Sequence, residues 1–323
     1  MEARNVELPP KPPGAVDALV SGFNATTLNL GLVLFPVALD VFLWLGPRLK
    51  VDTLFTSTLE ELSKVLGAPI LSRPEEMEKV LDGFNLFSRL RTYPFGVFSL
   101  MLNNSSGTSI LGVRPDWEIS SWLMLIGLSI ILTCVGLFFG SLYFYCVSRV
   151  ALKPGTGPSL LRTVFHSLLI WSVFTFFYFI GLLFLPFGAL LLMNNLVIML
   201  ILLLFFAWPI TWVGLMIFFS THGVFIFSKN AFASLGQNFR LLRYGMPPMG
   251  WFAFMAIVIS QGMDLIWRIP ATDSWMALIG IFGHAFVSTA LLAGSFIFYR
   301  DLNSWVDQAL AWVKTHQITS ARV

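Results

Sequence analysis

Between Arg162 and Lys229 the chain runs for 66 residues without a single Asp, Glu, Lys or Arg. The run is rich in Phe, Leu, Ile and Trp and pauses once, at Met193-Asn194-Asn195. A bilayer core takes about 20 apolar residues per helix, so this length suits a helical hairpin that crosses and returns. Soluble domains carry roughly 25% charged residues; here 11% are charged and 56% hydrophobic. The chain is expected to be an all-α integral membrane protein, a six-transmembrane-helix bundle with an extracytoplasmic helical loop subdomain.

Hydropathy and punctuation divide the chain as follows. Residues 1–27 form a leader, with four prolines before Gly14, and an amphipathic entry helix in which Val16, Leu19, Val20 and Phe23 recur at helical spacing. The leader carries Glu2 and Glu7 and no small-residue cleavage pattern, so it is not expected to be a signal peptide. The spans expected are 28–47, 117–148, 161–193, 196–227, 247–268 and 274–300. Pro186 and Pro209 should bend the third and fourth, because proline removes a backbone donor. Residues 228–246 read as a basic amphipathic segment, and 301–323 as a polar tail with Leu302, Trp305, Val306, Leu310 and Val313 at helical spacing.

Residues 48–116 have another character. Eight basic side chains balance eight acidic ones. A helix is expected over about Thr53–Leu66, and Ser72-Arg73-Pro74-Glu75 has the form of a capping box opening a second. Tyr93 to Leu102 is apolar but too short to span, and Asn103-Asn104-Ser105-Ser106-Gly107 is a strong turn signal. This stretch is expected to be interfacial or re-entrant, packed on the bundle; a lid over an embedded ligand is the sharper alternative.

Six crossings put both termini on one side. The loops after the second and fourth spans carry Arg149, Lys153, Arg162 and Lys229, Arg240, Arg243 without an acid, whereas the loop after the third has no charge. The positive-inside rule then makes the termini cytoplasmic and residues 48–116 extracytoplasmic. A plasma membrane is the expected location.

Ionisable groups inside spans are costly and are functional candidates by default. Asp40 and His284 fall at similar depths from the outer side, and Asp264 and Arg268 stand at i,i+4 near the outer end of the fifth span. An outward-opening polar pocket of Asp40, His284 and Asp264 is one expectation; a structural pairing of Asp40 with Arg268 or with the outer-loop backbone is the other. Gly283-His284-Ala285 has small neighbours that would let a haem or chlorin ring approach the imidazole; otherwise no cofactor is expected. Lys229, Arg240 and Arg243 are placed for anionic lipid headgroups. His166 and His222 have no metal-site spacing, and Gly155-Thr156-Gly157-Pro158 lacks the lysine of a phosphate loop. Cys134 and Cys146 are twelve residues apart, about 18 Å along a helix, too far to pair, and read as small buried apolar side chains. A net charge of +3 with no aromatic-interleaved basic cluster excludes nucleic acid as a partner.

Two further segments carry a resemblance. Ser228-Lys229-Asn230-Ala231-Phe232-Ala233-Ser234-Leu235-Gly236-Gln237-Asn238-Phe239-Arg240-Leu241-Leu242-Arg243 precedes the fifth span, and Phe298-Tyr299-Arg300-Asp301-Leu302 ends the sixth. Together, over roughly residues 210 to 305, they resemble a group of six-helix bacterial membrane proteins that includes the membrane domain fused to some glycerophosphodiester phosphodiesterases. The resemblance implies a short basic amphipathic helix leading into the fifth span and a sixth ending in a Tyr-x-Asp-Leu-like pattern. It implies no catalytic residues. With no catalytic motif in the chain, the function expected is that of a scaffold or accessory subunit, whose partners are the bilayer and other membrane subunits. The alternatives are a transporter or lipid-handling protein using the outer pocket, and a pigment-binding protein or intramembrane enzyme.

Overall fold

The computed structural model describes the backbone of residues 10–66, 81–104, 106–152, 158–192 and 196–320, and the side chains there except 103, 179–192, 196, 198–211 and 317–320. The capping box at Ser72, the break at Met193–Asn195, the turn at Gly155–Gly157 and the side chains of Pro186 and Pro209 lie outside these. Eight helices are labelled here: α1 Ala15–Thr27, α2 Leu34–Leu45, α3 Asp52–Leu66, α4 Trp122–Ala151, α5 Leu160–Leu192, α6 Leu196–Phe227, α7 Ala231–Trp267 and α8 Ala277–Ser320. Four of them, α4, α5, α7 and α8, are long and apolar enough over their described residues to cross a membrane. Up to five crossings result if α1 and the Leu30–Leu45 segment are counted as one broken span. The protein is a helical membrane protein.

The expected continuous helix from Leu28 to Pro47 is absent. Asn29 leaves the helical region, with φ −137° and ψ 55°, a single 3₁₀ turn covers Leu30–Val33, and α2 proper begins at Leu34. Pro36 sits within the first turn of α2, where a missing N–H breaks no helical bond, so the helix restarts around it. The opposite happens at the end of the chain, where the sixth span and the tail form one helix, α8, of 44 residues. Helix α7 joins the expected amphipathic segment and fifth span across a kink at Gly245 (φ −119°), just before Pro247 and Pro248.

The chain divides into two compact units. One comprises residues up to Leu28, Val147–Val258 and Ala290 onward; the other comprises Asn29–Cys146 and Ile259–Thr289.

In the first unit, α5 and α6 pack against each other. Helix α1 buries Ala15, Ala18, Leu19, Gly22 and Thr26, while Val16 and Val20 are exposed. The expected apolar stripe is thus split, with Val16 and Val20 facing outward and Leu19 facing in beside the small residues. A Cβ on Gly22 would collide with the backbone of Ala290 and Gly294 on α8, and one on Gly294 would come within 3.1 Å of the Ala18 carbonyl. Ala18-x-x-x-Gly22 and Ala290-x-x-x-Gly294 are therefore paired small-residue motifs that let two backbones touch. Farther along α8, Phe298 stacks on Phe252 with centroids 4.4 Å apart.

In the second unit the 48–116 segment is closed at its base. Strand β1 (Arg48–Lys50) pairs in parallel with β4 (Asp116–Glu118), bringing Arg48 opposite Asp116 in a bidentate ion pair of 2.6 and 2.7 Å. A second ribbon joins β2 (Thr108–Ser109) to β3 (Gly112–Val113). These strands correct the expectation of a wholly helical subdomain, although α3 lies within one residue of its expected bounds. Asn85 ties the interior by accepting from the backbone N–H groups of Leu49 and Phe87.

Tyr93–Leu102 packs inward without spanning. Phe95, Val97 and Leu100 are buried, and Phe95 and Phe98 meet Phe144 of α4. On α4, Gly136 and Gly140 make this approach possible: a Cβ on Gly136 would lie 2.5 Å from the Leu90 carbonyl, and one on Gly140 2.7 Å from Gly96 Cα. Cys134, expected to be buried, is exposed on α4.

Candidate functional site

Asp40 and the Asp264–His284 pair both lie in the second unit, close to where α2 ends, α7 ends and α8 begins. Asp40 stands on the inward face of α2 with Pro36, Val37, Leu43 and Trp44 and is fully buried. Its carboxylate accepts from Ser99 Oγ at 2.5 Å and from the backbone N–H groups of Leu100 and Met101 at 3.0 Å each. These amides open the 3₁₀ turn Met101–Asn103, so Asp40 satisfies donors that the turn leaves unpaired. Asp40 thereby fastens the short inward-packed segment to α2.

Asp264, on α7, accepts a hydrogen bond from His284 Nδ1 of α8 at 2.7 Å. The helices can approach because α8 offers Gly280 and Gly283 to Trp267. The Trp267 carbonyl leaves no room for a side chain at Gly280, and its indole ring would lie 2.7 Å from a Cβ on Gly283. Trp267 thus fills the space over Gly283, the face that the small neighbours of His284 would otherwise have left open to a haem or chlorin ring. The His284 imidazole is 7% exposed. Among the described residues its buried Nε2 has no hydrogen-bond partner, and neither has Trp267 Nε1. With the proton held on Nδ1 by Asp264, Nε2 of a neutral His284 presents a lone pair. Ala285, next to His284, packs in the same apolar cluster as Val37 and Trp44 of the Asp40 face of α2.

The structure thus brings Asp40, His284 and Asp264 into one neighbourhood, with Asp40 engaged elsewhere. Arg268 does not join them: it is exposed, and among the described residues no ion pair links it to Asp264. Among the described residues, no group of three or more His, Cys, Asp or Glu is arranged to hold a metal ion.

The basic residues of the first unit are partly engaged. Arg240 pairs with Asp307 at 2.7 Å with both side chains largely exposed. Arg243 lies 5.6 Å from the Tyr244 ring and Lys229 5.9 Å from that of Phe227. Partial burial, then the nearby Arg240 charge, lowers the Lys229 pKa below the usual lysine value.

Three polar anchors have no marker in the sequence. Arg114 donates to the carbonyls of Leu43, Gly46 and Ser106, capping the end of α2. Burial, then Arg48, lowers its pKa below the ordinary arginine value. Tyr143 Oη and Thr289 Oγ1 lie 2.8 Å apart. His222 is fully buried, its Nε2 2.8 Å from Ser295 Oγ, within a box of Phe218, Phe219, Phe296 and Tyr299. The small-residue spacings Ala18/Gly22, Ala290/Gly294 and Gly136/Gly140 are a sequence signal of close approach that the expectations above leave out.

No protein-family model matches the chain, and neither does any curated protein or any solved structure.

Proposed function

We propose that the protein is a non-catalytic scaffold or accessory subunit of a plasma-membrane assembly, crossing the bilayer six times with both termini cytoplasmic and residues 48–116 outside. The observation that carries this reading is Asp40. A carboxylate inside a membrane segment is a functional candidate, yet both oxygens of this one are consumed by three internal donors. The costliest group of the first span serves architecture. Six crossings need the broken Leu30–Leu45 segment and α6 in addition to the four long apolar helices; the 32 residues of α6 are ample for one. Kinship with the six-helix bacterial group, and headgroup contact by Lys229, Arg240 and Arg243, belong to the same proposal.

A second reading, a transporter that binds a small polar solute at the outer side, is favoured by one atom, His284 Nε2, which is buried and which no described residue partners. Native mass spectrometry of protein extracted gently from its own membranes separates the two. The scaffold reading expects partner chains in fixed stoichiometry. A chain without partners that retains a small polar molecule, lost in H284Q, would replace it with the transport reading.

A further inference from the structure

Helix α2 has two working faces. Pro36, Val37, Asp40, Leu43 and Trp44 point inward, whereas Leu34, Phe35, Ala38, Leu39 and Phe42 line a cavity of about 400 Å³. The opposite walls are Leu90, which precedes the inward-packed segment, Val97 within that segment, and Val135, Gly136 and Phe139 of α4. Every lining residue is apolar, and the cavity lies wholly within the second unit. It borders a lipid-facing surface: Ile131, Val135, Phe138 and Phe139 of α4 are exposed, and only 17% of the most apolar part of that helix is buried. A void this size forfeits the dispersion contacts of its whole lining, so in a bilayer it is occupied.

We infer that this groove is a seat for one phospholipid acyl chain. Its walls decide between a chain and a partner helix. Helices that dock in membranes approach through small residues, and this groove has only two, Ala38 and Gly136. Gly136 is already closed against the Leu90 carbonyl, 2.5 Å from where its Cβ would stand. The remaining walls are bulky Leu, Phe and Val side chains that keep a helix backbone at a distance while leaving a slot for a flexible chain. The seat is independent of the scaffold reading, since a structural lipid can serve either a scaffold or a transporter.

The test places a bimane label at V135C, on the groove wall, or at I131C, one turn away on the open lipid face, with Cys134 and Cys146 replaced by serine. Each protein in detergent is titrated with phosphatidylcholine carrying dibrominated acyl chains. The seat predicts that V135C is quenched at about one lipid per protein, whereas I131C needs a large excess. Filling the slot with A38F should abolish the stoichiometric quenching of V135C. In nanodiscs made wholly of the brominated lipid, the I131C label in the A38F background should quench as before, confirming an intact fold. Parallel quenching of both labels at every ratio would overturn the inference, leaving only non-specific surrounding lipid. So would stoichiometric quenching that survives A38F, or groove labels shielded by a co-purifying chain.

Discussion

A buried carboxyl group in an apolar span is costly unless its oxygens are met by donors of good geometry. Asp40 has three, and two of them are amides of a turn that would otherwise be unpaired. Removing the carboxylate therefore strands both sides. D40A should lower stability by about 3 kcal/mol, since bonds to a charged group contribute roughly 1.5–3 kcal/mol and stranded donors add to the loss. S99A removes one of the three and should cost about 1 kcal/mol. Thermal unfolding in detergent, followed by tryptophan fluorescence, measures both. Equal, negligible effects would show that Asp40 is not the fastening of the 93–103 segment. Arg114 works at the same scale from the other side, closing the carbonyls at the end of α2.

Between elements, glycine sets the distances. Gly22 and Gly294 bring α1 onto α8, and Gly136 and Gly140 bring α4 onto the Leu90–Gly96 segment. Gly22 is closed by backbone, which cannot swing aside as a flexible side chain could. G22L should therefore cost about 2 kcal/mol through overpacking, whereas V20L on the exposed face of the same helix should be near neutral. Limited proteolysis at the Leu28–Asn29 break that follows α1 reports the outcome: release of α1 in G22L alone is expected. Opposite behaviour would mean that the exposed face carries the packing. The kink of α7 follows the same logic, with Gly245 bending the chain before two prolines and lying within 3.1 Å of Leu302 were it given a side chain.

For the whole molecule, the proposed topology is testable by accessibility. In intact cells, a membrane-impermeant maleimide should label E60C, on exposed α3, and leave K314C, on the tail of α8, unlabelled until the cells are opened. The reverse pattern would invert the topology. Where Arg48–Lys50 runs beside Asp116–Glu118, the two ends of the 48–116 segment are held together between α2 and α4.

The uncharged 66-residue run, the low charge content and the helix periodicity determined that this chain is a helical membrane protein, because nothing else can hide so much apolar surface and satisfy its backbone. The same sequence marked Asp40, His284 and Asp264 as misplaced charges, because an ionisable residue in an apolar run is conspicuous wherever it folds. It could not say what each one meets. That Asp40 caps a turn 60 residues away, that His284 takes Asp264 in place of Arg268, and that Trp267 fills the space over Gly283 are long-range encounters. Local periodicity holds no record of these encounters, since helix spacing reports which residues share a face and never which face of which neighbour lies opposite. The inward side of α1 is of the same kind: Leu19 is buried with Ala18 and Gly22 while Val16 and Val20 face out, and that choice was settled only by α8.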